Sequence, residues 1–134
     1  MPIRCLIVDD NASFRQEMRG LLEEQGIDVV GGAASEADAL QQIADLRPEV
    51  ALIDIDLGRD SGLALTRRLK EIPGRAIPDV ILISTHDERA FAELIERSSA
   101  VGFLSKTELS ATAIRRMLAS ATSERRRSDE RRGT

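Results

Sequence analysis

Aromatic residues make up only 2% of this 134-residue chain, and tryptophan and tyrosine are absent. Three phenylalanines cannot build the stacking platforms on which single-stranded nucleic-acid bases are held. The one cysteine, Cys5, rules out an internal disulfide; its place in an apolar stretch predicts a buried free thiol and a cytoplasmic setting. No apolar run approaches the roughly 20 residues a membrane-spanning helix needs, so no membrane association is expected. An excess of positive charge is missing too: 19 basic against 23 acidic residues leave a net charge of -4, which speaks against general binding of nucleic acid. Met1-Pro2-Ile3-Arg4 leads straight into a strand pattern, without the features of a signal peptide. The length suits one domain with a core of its own.

What the chain does have is a regular alternation. Ile3 to Val8, Ile27 to Val30, Val50 to Asp54, Val80 to Ile83 and Val101 to Leu104 are short apolar runs that read as strands. Val50-Ala51-Leu52-Ile53 shows no polar alternation, the pattern of a strand buried on both faces of a parallel sheet. Between the runs lie helical spacings: Phe14, Met18, Leu21 and Leu22; Ala39, Leu40, Ile43, Ala44 and Leu46; Leu63, Leu65, Leu69 and Ile72; Phe91, Leu94 and Ile95; Leu109, Ile114, Met117 and Leu118. Ser13 with Gln16 forms a capping box, and Ser35 and Thr107 are further cap candidates. Gly26, Gly31-Gly32, Pro48 and Pro73-Gly74 act as stops. Five strand–helix pairs of this kind predict an α/β domain with a parallel sheet and helices on both faces. The tail from Glu124 to Arg132 is almost entirely charged, and either prolongs the last helix or is a solvated, disordered end.

Four of the five strands stop on polar residues of one kind of usefulness. The first ends in Asp9-Asp10, the third in Asp54, the fourth in Ser84 and the fifth beside Lys106. Parallel strands bring their carboxyl ends to one edge, where ligands of open α/β sheets bind. Acids crowded there repel one another unless a proton or a hard cation intervenes. Magnesium fits such a group, because it accepts a few carboxylate oxygens, keeps waters and leaves positions open for phosphate. Lys106 adds a point charge for phosphoryl oxygens and Ser84 a short hydroxyl donor. Together they describe a phosphoryl-transfer site with a protein carboxylate, Asp54, as acceptor. Each residue has a plainer reading: Asp9 and Asp10 as helix-start acids, Asp54 as a turn residue before Gly58, Lys106 as a surface lysine, Ser84 as a strand-end hydroxyl.

Leu6-Ile7-Val8-Asp9-Asp10-Asn11, Leu52-Ile53-Asp54-Ile55, Ile83-Ser84-Thr85-His86 and Gly102-Phe103-Leu104-Ser105-Lys106 follow one another in that order, each at a strand end. In this the chain resembles the receiver domain of two-component response regulators, from Ile3 to Ala119. The resemblance implies a flavodoxin-like (βα)5 sheet of strand order 2-1-3-4-5. It implies phosphorylation of Asp54 by a histidine kinase or phosphotransfer protein. It implies Mg2+ held by Asp10 and Asp54 directly, by Asp9 through water and by the backbone carbonyl of Asp56. It implies Ser84 and Phe103 as a switch pair, with Phe103 otherwise readable as core filler, and Lys106 as the phosphate-binding lysine. The output is then a protein-interaction surface acting on a separate protein or a second copy, with no direct nucleic-acid contact.

Residues 1–122 are accordingly assigned to the receiver domain and 123–134 to a charged tail. Gly102 to Leu109 is most similar to receivers that carry a helix-turn-helix output domain; none follows within these residues, which leaves a stand-alone receiver or a fragment. Two positions depart from the family pattern. Gly58 replaces a proline after the phosphorylated strand, which predicts a looser loop. Thr107 replaces a proline after Lys106, and a trans peptide is expected because a cis bond before a non-proline residue costs about 2.5–4 kcal/mol. His86, the only histidine, is expected at the surface two residues past Ser84.

A different class is also open. Asp54-Ile55-Asp56 resembles the opening of haloacid-dehalogenase phosphatases, with Asp54 as nucleophile and Asp56 as general acid. That motif usually sits near the N-terminus, whereas a whole strand–helix pair carrying Asp9-Asp10 precedes it here. A degenerate receiver serving only as a binding module is a third reading, opposed by the intact acids and lysine. On the first reading the chain is a phosphoacceptor and not an enzyme that turns over small phosphomonoesters.

Overall fold

The computed structural model describes residues 2–72, 77–85 and 92–132. In chain order the elements are β1 (Arg4–Val8), α1 (Ala12–Glu24), β2 (Asp28–Ala33), α2 (Glu36–Leu46), β3 (Val50–Asp54), β4 (Asp56–Leu57), β5 (Asp60–Ser61), α3 (Gly62–Glu71), β6 (Asp79–Ser84), α4 (Ala92–Arg97), β7 (Gly102–Ser105) and α5 (Ala111–Arg132). Five strands form one sheet in the order β2-β1-β3-β6-β7, every neighbouring pair parallel. Counting sheet strands alone, this is the flavodoxin-like order 2-1-3-4-5. β4 and β5 make a separate two-residue antiparallel hairpin.

The period of two along each strand divides the core between the two faces of the sheet. Cys5, Ile7, Leu52, Ile81 and Ile83 face Met18 and Leu22 of α1 and Ile114 of α5. Leu6, Val8, Ala51, Ile53 and Leu82 face Ala39 and Ile43 of α2 and Leu65 and Leu69 of α3. All five residues of β3 are buried, the environment its unbroken apolar run predicts.

Several local expectations change. The cap of α1 is Asn11, whose side chain accepts the Phe14 N–H at 3.2 Å, and not Ser13. Asn and Ser are comparable caps, and Asn11 comes first, three residues after β1 ends at Val8. Ser35 and Ser61 cap α2 and α3. Ser110, not Thr107, accepts from the first turn of α5, through Ala113 N–H at 3.1 Å. Thr107 is held back in a turn closed by Glu108 N–H to Ser105 O at 2.9 Å, and Leu109 is buried before the helix begins. Gly31 and Gly32 lie inside β2 rather than ending it, because the register skips Val30 between Cys5↔Val29 and Leu6↔Gly31. Such a bulge is where glycine is tolerated in a strand. The helical start predicted at Asp87 falls outside the described residues, as does His86. The charged residues after Glu124 continue α5 as helix to Arg132.

The loop after β3 is folded into the β4–β5 hairpin. Gly58 adopts φ +72 at the tip of the β4–β5 hairpin, a left-handed turn that glycine takes at no steric cost. Asp60 Oδ2 accepts the Glu36 N–H of α2 at 2.9 Å, and Glu36 in turn pairs with Arg68 of α3 at 3.1 Å. The hairpin is thereby tied to α2, and α2 to α3.

Candidate functional site

All five sheet strands run the same way, so their carboxyl ends share one edge. That edge carries a cavity of about 190 Å³ lined by Asp9, Asp10, Asn11, Asp54, Asp56, Gly58, Ser84, Thr85 and Lys106. A larger concavity of about 550 Å³ lies around Ile77, Val101 and Ala121, where the described residues form no cluster of three acids that could hold a metal.

Each side chain is placed by backbone it did not choose. Asp9 follows β1, and its backbone N–H bonds Ala33 O at 2.9 Å while Arg15 Nη1 donates to its carbonyl. Its Oδ1 accepts Asn11 N–H at 2.9 Å, which starts the turn into α1. Asp54 is the last residue of β3, and its Oδ1 accepts Asp56 N–H at 3.0 Å. Behind it, Gly62 N–H reaches Ile55 O at 2.9 Å, bringing the first turn of α3 against the strand end. Lys106 N–H bonds Ser84 O at 2.9 Å, continuing the β6–β7 ladder past its last pair.

Lys106 crosses the site. Its Nζ lies 2.6 Å from Asp9 Oδ2 and 3.0 Å from Asp54 Oδ2, with only 13% of its side chain exposed. Burial opposes the ammonium, but the two carboxylates outweigh it and hold its pKa above the ordinary lysine value. For Asp54 the balance is reversed. Burial pushes its carboxyl upward and Asp9 adds repulsion, while Lys106 and the Asp56 N–H only partly pull it back. Asp54 is therefore a carboxylate kept short of charge compensation.

Carboxylate oxygens of Asp9, Asp10 and Asp54 lie within 4.8 Å of one another. Asp9 Oδ2 is fully buried and faces the Lys106 ammonium at 2.6 Å. A buried carboxylate oxygen needs a cation beside it, and here the ammonium of Lys106 supplies it. Three hard oxygen donors converging in this way fit Mg2+ or a similar divalent ion. Asp56 lines the cavity, but its carboxylate is not among the three that converge; Asp56 Oδ1 accepts the Gly58 N–H at 3.2 Å. Ser84 is buried at the rim, and Phe103 is buried in the core on the α3 side of the sheet. The Lys106–Thr107 peptide is trans, and among the described residues no peptide is cis.

The reading from sequence missed three contributors. Arg15 and Asp60 act on backbone atoms from other elements, and Phe14 lies under Lys106 from a helix distant in the chain. No local motif marks any of them.

The sequence matches the family model described as "Response regulator receiver domain" over residues 5–119. The chain belongs to that family, whose members are signalling modules built around a phosphoaccepting aspartate. Among relatives, a putative transcriptional regulator of Pseudomonas aeruginosa is 33% identical over 105 residues, covering 78% of this chain and 50% of that protein. A protein-glutamate methylesterase/protein-glutamine glutaminase of Xanthomonas campestris is 37% identical over 111 residues, covering 81% of this chain and 30% of that protein. This chain thus spans half or less of the curated relatives it matches. The receiver domain of a putative response regulator NarL from Mycobacterium tuberculosis superposes with a TM-score of 0.71 at 31% identity, covering 87% of this chain and 96% of that one. Neither the geometry nor these relatives support the haloacid-dehalogenase alternative, since the Asp56 carboxylate that would serve as its acid is engaged in the hairpin. No described helix is long and apolar enough to cross a membrane.

Proposed function

We propose that Asp54 accepts a phosphoryl group from the phosphohistidine of a sensor kinase or phosphotransfer protein, and that this chain signals rather than catalyses turnover of a small substrate. The observation that carries the reading is the meeting of Asp9, Asp10, Asp54 and Lys106 in one cavity at the carboxyl edge of the sheet. An Asp54 carboxylate oxygen attacks phosphorus, the P–N bond of the donor breaks as the P–O bond forms, and the imidazole leaves and takes up a proton. Asp9, Asp10 and Asp54, with the Asp56 carbonyl, are the residues that would hold Mg2+. Bound there, the ion would neutralise the carboxylates and draw charge from the phosphoryl oxygens.

The chain's own groups do the rest. Asp56 N–H orients Asp54 through Oδ1. Lys106 gives up its ion pair with Asp54 and meets a phosphoryl oxygen instead, a point charge already over the acceptor. Ser84 offers its hydroxyl from the end of β6, and its movement leaves room for Phe103 to repack beside it; the two are the switch pair. The receiver unit is taken as residues 1–122, with 123–134 as a charged extension, working in the cytoplasm on a separate protein or a second copy. Mass spectrometry after incubation with acetyl phosphate and Mg2+ tests this: one phosphoryl group on the parent, none on Asp54→Asn. Phosphate arriving at another residue, or none on the parent, would refute it. Loss of millimolar-range Mg2+ binding in Asp10→Ala tests the metal set separately.

A further inference from the structure

Phe14 stands in the first turn of α1, and its ring centroid lies 4.4 Å from Lys106 Nζ. Three local features put it there. Asn11 accepts the Phe14 N–H and so fixes the backbone of that turn. Side chains of a helix lean back toward its N-terminus, which for α1 is the edge of the site. The ring also packs against the buried cluster that includes Cys5, Ile7 and Met18, which keeps it from swinging outward. The ammonium of Lys106 is thus met by Asp9, by Asp54 and by an aromatic face. With 13% of that side chain exposed, the cation–π contact works at the desolvated, stronger end of its range.

The three contacts differ in what happens to them during phosphoryl transfer. On the reading of Asp54 as phosphoacceptor, Asp54 becomes an acyl phosphate and Asp9 turns to the metal, so both carboxylates release the ammonium. The ring is the contact that stays. It attracts a cation yet offers no oxygen, so it does not compete for the metal as a third carboxylate would.

We propose that Phe14 is a positioning residue for Lys106, holding the ammonium over the acceptor while its ionic partners change. This inference rests on the phosphoacceptor reading, and the experiment separates the two. Full-length parent, Phe14→Leu and Phe14→Tyr are compared for phosphoryl uptake from acetyl phosphate with Mg2+. The side-chain Hε resonance of Lys106 is followed by NMR in the same proteins without phosphodonor. Leucine keeps apolar bulk and removes the ring face; tyrosine keeps the face. Expected are an upfield, ring-current-shifted Lys106 Hε in the parent and the tyrosine variant, and its return to an ordinary lysine position in the leucine variant. Uptake should fall about three- to ten-fold in Phe14→Leu and recover in Phe14→Tyr, as loss of a desolvated cation–π contact requires. If circular dichroism finds the leucine variant unfolded, Phe14→Met takes its place. Parent-like uptake in the variant without a ring, or equal slowing in the tyrosine variant, overturns the proposal and leaves the phosphoacceptor reading standing. A parent that takes up no phosphate overturns both.

Discussion

Replacing Gly62 by alanine probes how tightly the acceptor strand is boxed in. A Cβ at Gly62 would sit 2.8 Å from the carbonyl carbon of Asp54, closer still to its oxygen, and 3.0 Å from Ile53 Cγ2. Favourable carbon–carbon contacts are about 3.5–4.0 Å apart, so backbone has to move against backbone. No rotamer change relieves that, and both segments are pinned, Gly62 N–H by Ile55 O and Asp54 by its pairing with Ile83. Forcing extra atoms into a packed site costs about 1–3 kcal/mol. Against this, alanine is about 1 kcal/mol better than glycine inside a helix, and less at the first position. The net expectation is a loss of about 1–2 kcal/mol, or roughly 3–10 °C in Tm for a domain of this size. Urea denaturation followed by circular dichroism measures it, with Gly102→Ala as the control. There a Cβ meets Met117 Sδ at 2.7 Å, but the neighbour is a flexible side chain that can turn away. Gly62→Ala as stable as the parent, or no worse than Gly102→Ala, would show that the close packing behind Asp54 is not a constraint.

Three further outcomes are expected. Because the folded chain raises the Asp54 pKa, the ionised carboxylate costs stability at neutral pH, and that cost fades as pH falls toward the raised value. Asp54→Asn should therefore melt above the parent at pH 7 in EDTA, with the gap narrowing as pH falls; Lys106 keeps Asp9 as partner. A parent that melts at or above the variant at pH 7 refutes this. At neutral pH Lys106 contributes stability instead; its pKa is also raised, so that contribution is complete below the ordinary lysine pKa and lost as pH rises through the higher folded value. Cys5 is fully buried and its thiol is pushed up to about 12 by desolvation; iodoacetamide at pH 8 should label it only after urea unfolding, and rapid labelling of the folded chain would contradict the burial. Ser84→Ala should still accept phosphate at Asp54 but lose the phosphorylation-dependent change in self-association or partner binding, measured by analytical ultracentrifugation or pull-down. A variant that responds like the parent rules out Ser84 as the switch.

The strand order and the gathering of Asp9, Asp54, Ser84 and Lys106 were legible because they follow from one fact, that the apolar runs of β1, β3, β6 and β7 lie parallel and end on the same edge. A buried parallel strand leaves little freedom in where its first polar residue emerges. The cap of α1 was misplaced because Asn11 and Ser13 are both good acceptors, and which one wins depends on where β1 releases the chain. The glycines of β2 read as a stop because a bulge depends on the register of the neighbouring strand, not on the residues themselves. The Asp60–Glu36 tie, the Gly62 approach to Asp54 and the Phe14–Lys106 contact all join segments far apart in sequence. None involves a residue type that announces its partner.

The bond from Lys106 N–H to Ser84 O has a kinetic meaning. On the function proposed above, it makes the two groups that would reach for a phosphoryl oxygen adjoining links of one ladder, since Ser84 already pairs with Ser105. A backbone displacement at either residue is felt by the other through that bond. The site then has one coordinate of adjustment where two side chains would suggest two. Rearrangement on phosphorylation should cross a single barrier, with probes on β6 and β7 relaxing at one common rate.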